Sequence, residues 1–208
     1  MSKISFVYFD VGGVAIKDFS DTNKWHLLMD TMGVPIDKRD EFNRIYKEYD
    51  DRICLGLDID DTMAVFVEKL NLKLSKDFSM LSYFVDHFEQ NHGLWPIVDL
   101  IKDKVKVGLL TDMYPRMLDL ITTRKLLPPV VWDSIIDSSV EKVRKPMPEI
   151  YDLAASRAQT DPQEILFIDN RTCNIEGAQK SGWQTFLYNS SDYDRANKDL
   201  AKFISQNL

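Results

Sequence analysis

The sequence predicts an α/β protein: a doubly wound parallel sheet with an all-helical segment inserted after its first strand. Three observations predict it. Short apolar runs separated by helical stretches recur through the second half of the chain, the pattern of a parallel sheet covered by helices. About 90 residues that read almost wholly helical separate the first strand from the second, far more than the roughly 10–15 a crossover helix requires. Asp10 ends the first apolar run directly before a Val11-Gly12-Gly13 turn, in the crevice where open α/β sheets bind ligands.

The first strand is expected over residues 4–9 (ISFVYF). Residues 17–91 form the inserted helical cap, with helices over 23–32, 38–49, 60–70 and 78–90 and with Gly33, Pro35, Gly56 and Ser75 near the breaks. Further strands fall at 105–110, 134–137, 165–168 and 184–188, each apolar and followed by polar or turn residues. Five strands suffice for a small Rossmann-like core made of residues 1–16 and 92–208. Trp and Met at helical spacing within the insertion read as its own packing core.

Composition narrows the function. A chain of 208 residues, 44% hydrophobic and 28% charged, can bury a full core, and its net charge of −7 lacks the basic footprint of a nucleic-acid binder. No stretch approaches the roughly 18 apolar residues of a membrane span, and the N-terminus runs straight into a strand, so a cytoplasmic protein without membrane partners is expected. Cys54 and Cys173 lie far apart and outside any metal-binding spacing, as do His26, His87 and His92.

Several strand ends carry chemistry. A carboxylate at Asp10, beside glycines that let the backbone approach a phosphate or metal, is placed as a nucleophile. Thr111 ends the next strand with a hydroxyl able to bond a phosphoryl oxygen, and Lys145, just before Pro146 and a helix, can neutralise a phosphate. Asp112 and Arg144 flank these two as further substrate-binding candidates. Asp169 and Asn170 follow another strand; Asp10, the Gly12 carbonyl and Asp169, with Asn170 adjacent, would suit Mg²⁺, which keeps several waters and few protein carboxylates.

Phe9-Asp10-Val11-Gly12-Gly13-Val14, Leu110-Thr111, Lys145-Pro146 and Phe167-Ile168-Asp169-Asn170 resemble, in order, the four motifs of the haloacid dehalogenase superfamily. Tyr151 and the run Asn174-Ile175-Glu176-Gly177-Ala178 further resemble its phosphatase-like members with a helical cap. The resemblance implies that Asp10 attacks phosphorus to form an aspartyl-phosphate, that Thr111 and Lys145 hold the phosphoryl oxygens and that Asp169 holds Mg²⁺. Phosphoryl transfer independently calls for those parts: an in-line nucleophile, fixed donors and a charge-spreading cation. A small phosphorylated metabolite is the substrate this implies.

The chain departs from the family pattern at Gly12, where most such phosphatases carry a second aspartate serving as general acid and then base. General acid–base catalysis contributes about 10²- to 10⁴-fold, so good leaving groups are favoured without it. Members resembling α-glucose-1-phosphate phosphatases also show glycine there. Asn170 replaces a frequent aspartate, Asp112 a frequent asparagine, and Lys142 stands where a glycine often precedes the Lys-Pro pair. The segment Asp58-Ile59-Asp60-Asp61-Thr62 has the DxDxT form that Asp10 lacks, but its context predicts helix capping. Arg44, Tyr46, Tyr49 and Arg52 are cap side chains that could face the cleft.

Two other functions compete. A dehalogenase would use Asp10 on carbon and need neither acid nor metal, which suits Gly12; Asp169 argues against it, since a second carboxylate beside the nucleophile repels an anionic substrate unless a cation intervenes. A degenerate, non-catalytic binding protein would keep the ligand site without turnover.

Overall fold

The computed structural model describes residues 3–20 and 22–208. Its core is a five-stranded parallel sheet ordered β5-β4-β1-β6-β7, formed by β1 (Phe6–Phe9), β4 (Lys106–Thr111), β5 (Ser134–Asp137), β6 (Ile165–Asp169) and β7 (Gln184–Leu187). The first strand in sequence is thus central, and the order reverses across it. That reversal opens a crevice at the carboxyl ends of β1, β4 and β6.

The central strands β1, β4 and β6 read as near-continuous apolar runs because both faces are covered. Val7, Phe9, Leu109, Leu166 and Ile168 belong to one buried cluster, shared with the inserted helices. Phe6, Tyr8, Leu110 and Phe167 belong to a second, closed by Ile150, Tyr151 and Ala154 of α8 (Pro148–Ala158), Ile175 and Ala178 of α9 (Thr172–Lys180), and Trp183. Gly108 is required in β4 by space: a Cβ there would sit 2.7 Å from both the Ser134 carbonyl oxygen and the Tyr8 ring.

Among the described residues, the segment following β1 carries four α-helices, α1 (Lys24–Thr31), α2 (Arg39–Cys54), α3 (Met63–Leu70) and α4 (Met80–Asp86). The helix expected over 78–90 stops at Asp86, because Glu89–Gln90 pairs antiparallel, as β3, with β2 (Ile16–Lys17). The chain therefore enters and leaves the helical segment through one short ribbon. The helix expected to end at residue 49 continues to Cys54, whose carbonyl accepts from Ser138 Oγ at 2.7 Å.

A buried polar network fixes the ribbon against the core. Asn91 donates to the Val14 carbonyl at 2.7 Å, Asn197 of α10 (Tyr193–Asn207) donates to Asn91 Oδ1 at 2.9 Å, and the Tyr188 hydroxyl donates to Asn197 Oδ1 at 2.8 Å. The helices α5 (Trp95–Ile101), α6 (Met117–Thr123) and the single turn α7 (Ser138–Glu141) complete the fold. Among the described residues, no helix is long and apolar enough to cross a membrane.

Candidate active site

Parallel pairing places the site. Phe9 stands in register with both Leu109 and Ile168, so the residues that follow, Asp10 and Asp169, leave the sheet side by side. Asp10 N–H donates to the Ile168 carbonyl at 2.9 Å, and Asp10 Oδ1 accepts from Val11 N at 2.7 Å. Asp169 is wholly buried; its Oδ1 accepts from Arg171 N at 2.7 Å and its Oδ2 from Asn174 Nδ2 at 3.0 Å. Both carboxylates are held by backbone and amide donors before any ligand arrives.

Lys145 joins them. Its ammonium lies 3.0 Å from Asp10 Oδ1 and 2.7 Å from Asp169 Oδ2, and donates to the Leu110 carbonyl at 3.1 Å. Its own N–H donates to Asp112 Oδ1 at 2.9 Å, and the cis bond to Pro146 follows directly. Lys142, φ 60°, is left-handed, a conformation that glycine adopts without strain, and this accounts for the glycine frequent at that place.

The charge is unbalanced. Asp10 and Asp169 share one buried ammonium, and Asp112, which accepts the Lys145 backbone N–H, has among the described residues only Arg144 within ion-pair reach, at 3.6 Å. Burial, opposed by Lys145 and reinforced by Asp169, raises the Asp10 carboxyl to about 7. Burial also raises Asp112 against the pull of Lys145. Burial alone would lower the Lys145 ammonium, but Asp10, Asp169 and Asp112 carry it above its usual range. A further cation would relieve this excess.

The donor set suits a hard one. Asn170 Oδ1 is buried with no hydrogen-bond partner, while its Nδ2 donates to Ser190 at 3.3 Å and fills the space over Gly13, where a Cβ would come within 2.1 Å. Gly13 is required twice, by that contact and by φ 76°. Two carboxylates, an orphaned amide oxygen and water match what Mg²⁺ takes.

Above this floor lies a cleft of about 760 Å³, lined by Asp10, Gly12, Asp112, Arg144, Lys145 and Asn170 among others. Thr111 ends β4 in register with Asp137 and is buried beneath the cleft rather than lining it. Arg144 is drawn toward the helical segment, paired with Asp51 and 3.6 Å from Asp50.

Apart from Tyr46, the opposite wall comes from residues that the sequence did not single out as site candidates. Asn43, Tyr46, Asp50 and Cys54 recur at three- and four-residue spacing on α2 and face the cleft as one stripe. Tyr46 shares its hydroxyl hydrogen bond with Tyr114, which donates to Asp50 at 3.1 Å. Phe19, Trp25 and Phe84 add an aromatic surface, with Trp25 and Phe84 rings stacked 6.2 Å apart. Asp18 also lines the cleft, its carboxyl raised by burial against the Ser20 N–H. Of the cap side chains proposed from sequence, Tyr46 faces the cleft; Arg44, Tyr49 and Arg52 do not. The DxDxT segment lies outside it. Asp58 caps the short turn at Asp60 N and, with Asp60, binds Arg116, while α3 itself starts without a side-chain cap.

A family model of haloacid dehalogenase-like hydrolases matches residues 9–182, a span containing Asp10, Thr111, Lys145 and Asp169. Among curated proteins, none matches the chain in sequence. A haloacid dehalogenase family enzyme from Bacteroides thetaiotaomicron, solved with magnesium and inorganic phosphate, is 19% identical with a TM-score of 0.72, over 91% of this chain and 96% of its own. A predicted HAD-like family hydrolase from Porphyromonas gingivalis is 18% identical with a TM-score of 0.75, over 96% and 98%. L-2-haloacid dehalogenase from Xanthobacter autotrophicus, with chloropropionic acid covalently bound, is 16% identical with a TM-score of 0.63, over 89% and 77%. At these identities the structures share the fold.

Proposed function

The chain belongs to the haloacid dehalogenase-like hydrolases, and from that premise we propose that it is a Mg²⁺-dependent phosphatase acting on a small phosphorylated metabolite through an aspartyl-phosphate on Asp10. The observation that carries this reading is the floor of the cleft, where Asp169 stands beside Asp10 with a single ammonium, Lys145, bridging them at 2.7 and 3.0 Å. Carboxyl-bearing halo-substrates would meet excess negative charge there; a phosphate arriving with a divalent cation would not.

Asp10, Asp169 and the Asn170 oxygen would hold Mg²⁺, with the neighbouring Gly12 carbonyl as a further donor, and the metal would spread the charge of the phosphoryl oxygens. Asp10 attacks phosphorus in line. Lys145, fixed by Asp169, Leu110 and its own backbone bond to Asp112, neutralises a phosphoryl oxygen without having to reorganise. Thr111, buried at the end of β4, does not line the cleft and is left out of the phosphoryl contacts. Arg144 and the stripe on α2 meet the leaving group and keep bulk water out. Gly12 offers no proton, which confines fast turnover to good leaving groups unless another residue supplies one.

Phosphate release from sugar, nucleotide and acyl phosphates tests this, with Mg²⁺ or EDTA and with Asp10→Asn alongside. The expected result is metal-dependent turnover that Asp10→Asn lowers by at least about 10⁴-fold. Silence across that panel together with halide release from 2-haloacids would replace the phosphatase with a dehalogenase; silence in both assays would leave a binding protein.

A further inference from the structure

The glycine at position 12 raises the question of what protonates the leaving group, and the structure places a carboxylate in the space that glycine leaves. We propose that Asp18 is the second catalytic carboxylate of this site, giving a proton to the leaving-group oxygen and later taking one from the attacking water. The inference rests on the phosphatase reading above.

The geometry is direct. A Cβ built on Gly12 would lie 2.8 Å from Asp18 Oδ2, 3.6 Å from its Cγ and 4.0 Å from its Cβ. The distances fall toward the oxygen, so the side chain points its carboxylate at Gly12. The other oxygen, Oδ1, is occupied by Ser20 N–H at 2.9 Å, which leaves Oδ2 as the one aimed at that space. Asp18 and Asp10 line the same cleft.

The local chain path brings this about. After Asp10 the backbone folds on itself, with Ala15 N–H donating to the Asp10 carbonyl at 3.2 Å and Gly13 N–H to the Ile16 carbonyl at 3.0 Å. A bridge pairs Gly12 with Ile16, and β2 ends at Lys17, so residue 18 is delivered back beside residue 12. Any side chain at position 12 would have to displace the Asp18 carboxylate. An acid at 12 and this placement of the acid at 18 exclude each other, and this sequence has the second arrangement.

In the first half-reaction an Asp10 carboxylate oxygen bonds to phosphorus, the bond from phosphorus to the leaving oxygen breaks, and that oxygen takes the Asp18 proton. In the second, water loses a proton to Asp18, its oxygen bonds to phosphorus, and the bond from phosphorus to Asp10 breaks. Inorganic phosphate leaves with both carboxyl groups restored.

Asp18 could instead serve only the turn through Ser20, and Asp18→Asn separates the roles because the amide oxygen still accepts that bond while the acid is gone. Rapid-mixing kinetics with an aryl phosphate and glycerol phosphate, followed by intact-protein mass spectrometry, read the two half-reactions. Asp18→Asn is expected to release the aryl alcohol in a near-wild-type burst and then stall with Asp10 phosphorylated. Its burst on glycerol phosphate, a poor leaving group, should fall about 10²- to 10⁴-fold. Gly12→Asp combined with Asp18→Ala, which frees the space at position 12, should recover part of that loss. Equal slowing of both bursts, or no slowing and no phosphoenzyme, would overturn the role of Asp18 while leaving the phosphatase intact. Wild-type inactivity on both substrates would instead strike at the phosphatase reading, and the proposal would fall with it.

Discussion

The floor and the far wall of the cleft are built by different means. On the floor, Asp10 and Asp169 leave adjacent parallel strands, and Asp10 Oδ1, both Asp169 oxygens and the Lys145 ammonium are tied to backbone, to Asn174 or to one another within 3.1 Å. On the wall, Tyr46, Asp50 and Cys54 stand on α2, and they meet the core through Tyr114, Arg144 and a bond from Ser138 Oγ to the Cys54 carbonyl at 2.7 Å. Strand ends fix the charged side chains of the floor; a single helix stripe supplies the wall. The comparison teaches that the two sides of the cleft are fixed by different parts of the chain, the floor by strand ends and the wall by one helix.

Lys145 offers the largest break in the floor. Lys145→Met removes the one ammonium shared by two buried carboxylates, and loss of a partner from a buried ion pair costs about 3–5 kcal/mol. Urea unfolding should show a stability lower by that amount, read as a lower midpoint, together with loss of phosphate release. A midpoint unchanged from wild type would mean that the floor does not depend on this bridge.

Asp10 gives an effect of opposite sign. Its carboxyl is raised to about 7 when folded, against about 3.9 in an unfolded chain, so the folded protein holds this proton more tightly. Stability tied to that proton is present below about pH 4 and is lost as pH rises through about 7. Asp10→Asn removes the titration. In EDTA its melting temperature should therefore exceed wild type by an amount that grows between about pH 4 and 7, to several degrees. Melting curves for the two proteins that run parallel with pH would show that the three acids around Lys145 do not penalise the ionised site.

The same division governs what could be read from the chain. Strands β1, β4, β5, β6 and β7 lie close to where the apolar runs place them; for the central β1, β4 and β6 the reason is that a strand buried on both faces has little freedom in composition. The residues gathered on the floor sit at strand ends or just before a helix, positions that local pattern reveals. Asp18 carried no such signal. Its approach to Gly12 depends on the fold of the loop from Asp10 to Ile16, and a lone aspartate after a two-residue strand looks like any other turn acid. The ribbon of Glu89–Gln90 was hidden for a related reason: its partner lies more than 70 residues away, and helical propensity carries the pattern past Asp86.

Asp58 marks the limit of motif reading, and it provides the smallest expected effect. The run Asp58-Ile59-Asp60-Asp61-Thr62 matches a catalytic spacing better than the segment at Asp10 does, yet it follows the end of a helix, not of a central strand. Arg116 Nε and Nη2 donate to the two Asp58 oxygens at 2.8 and 2.7 Å, and the Arg116 side chain is 54% exposed. An exposed pair of this kind contributes about 0.2–1 kcal/mol even with good geometry. A double-mutant cycle with Asp58→Asn and Arg116→Ala should return a coupling in that range, and each variant should retain full phosphate release. Loss of turnover on Asp58→Asn would transfer chemistry to the wall and undo the division; retained turnover places the spacing of these acids in the service of helix entry, because an acidic motif acquires chemistry from the strand end that carries it.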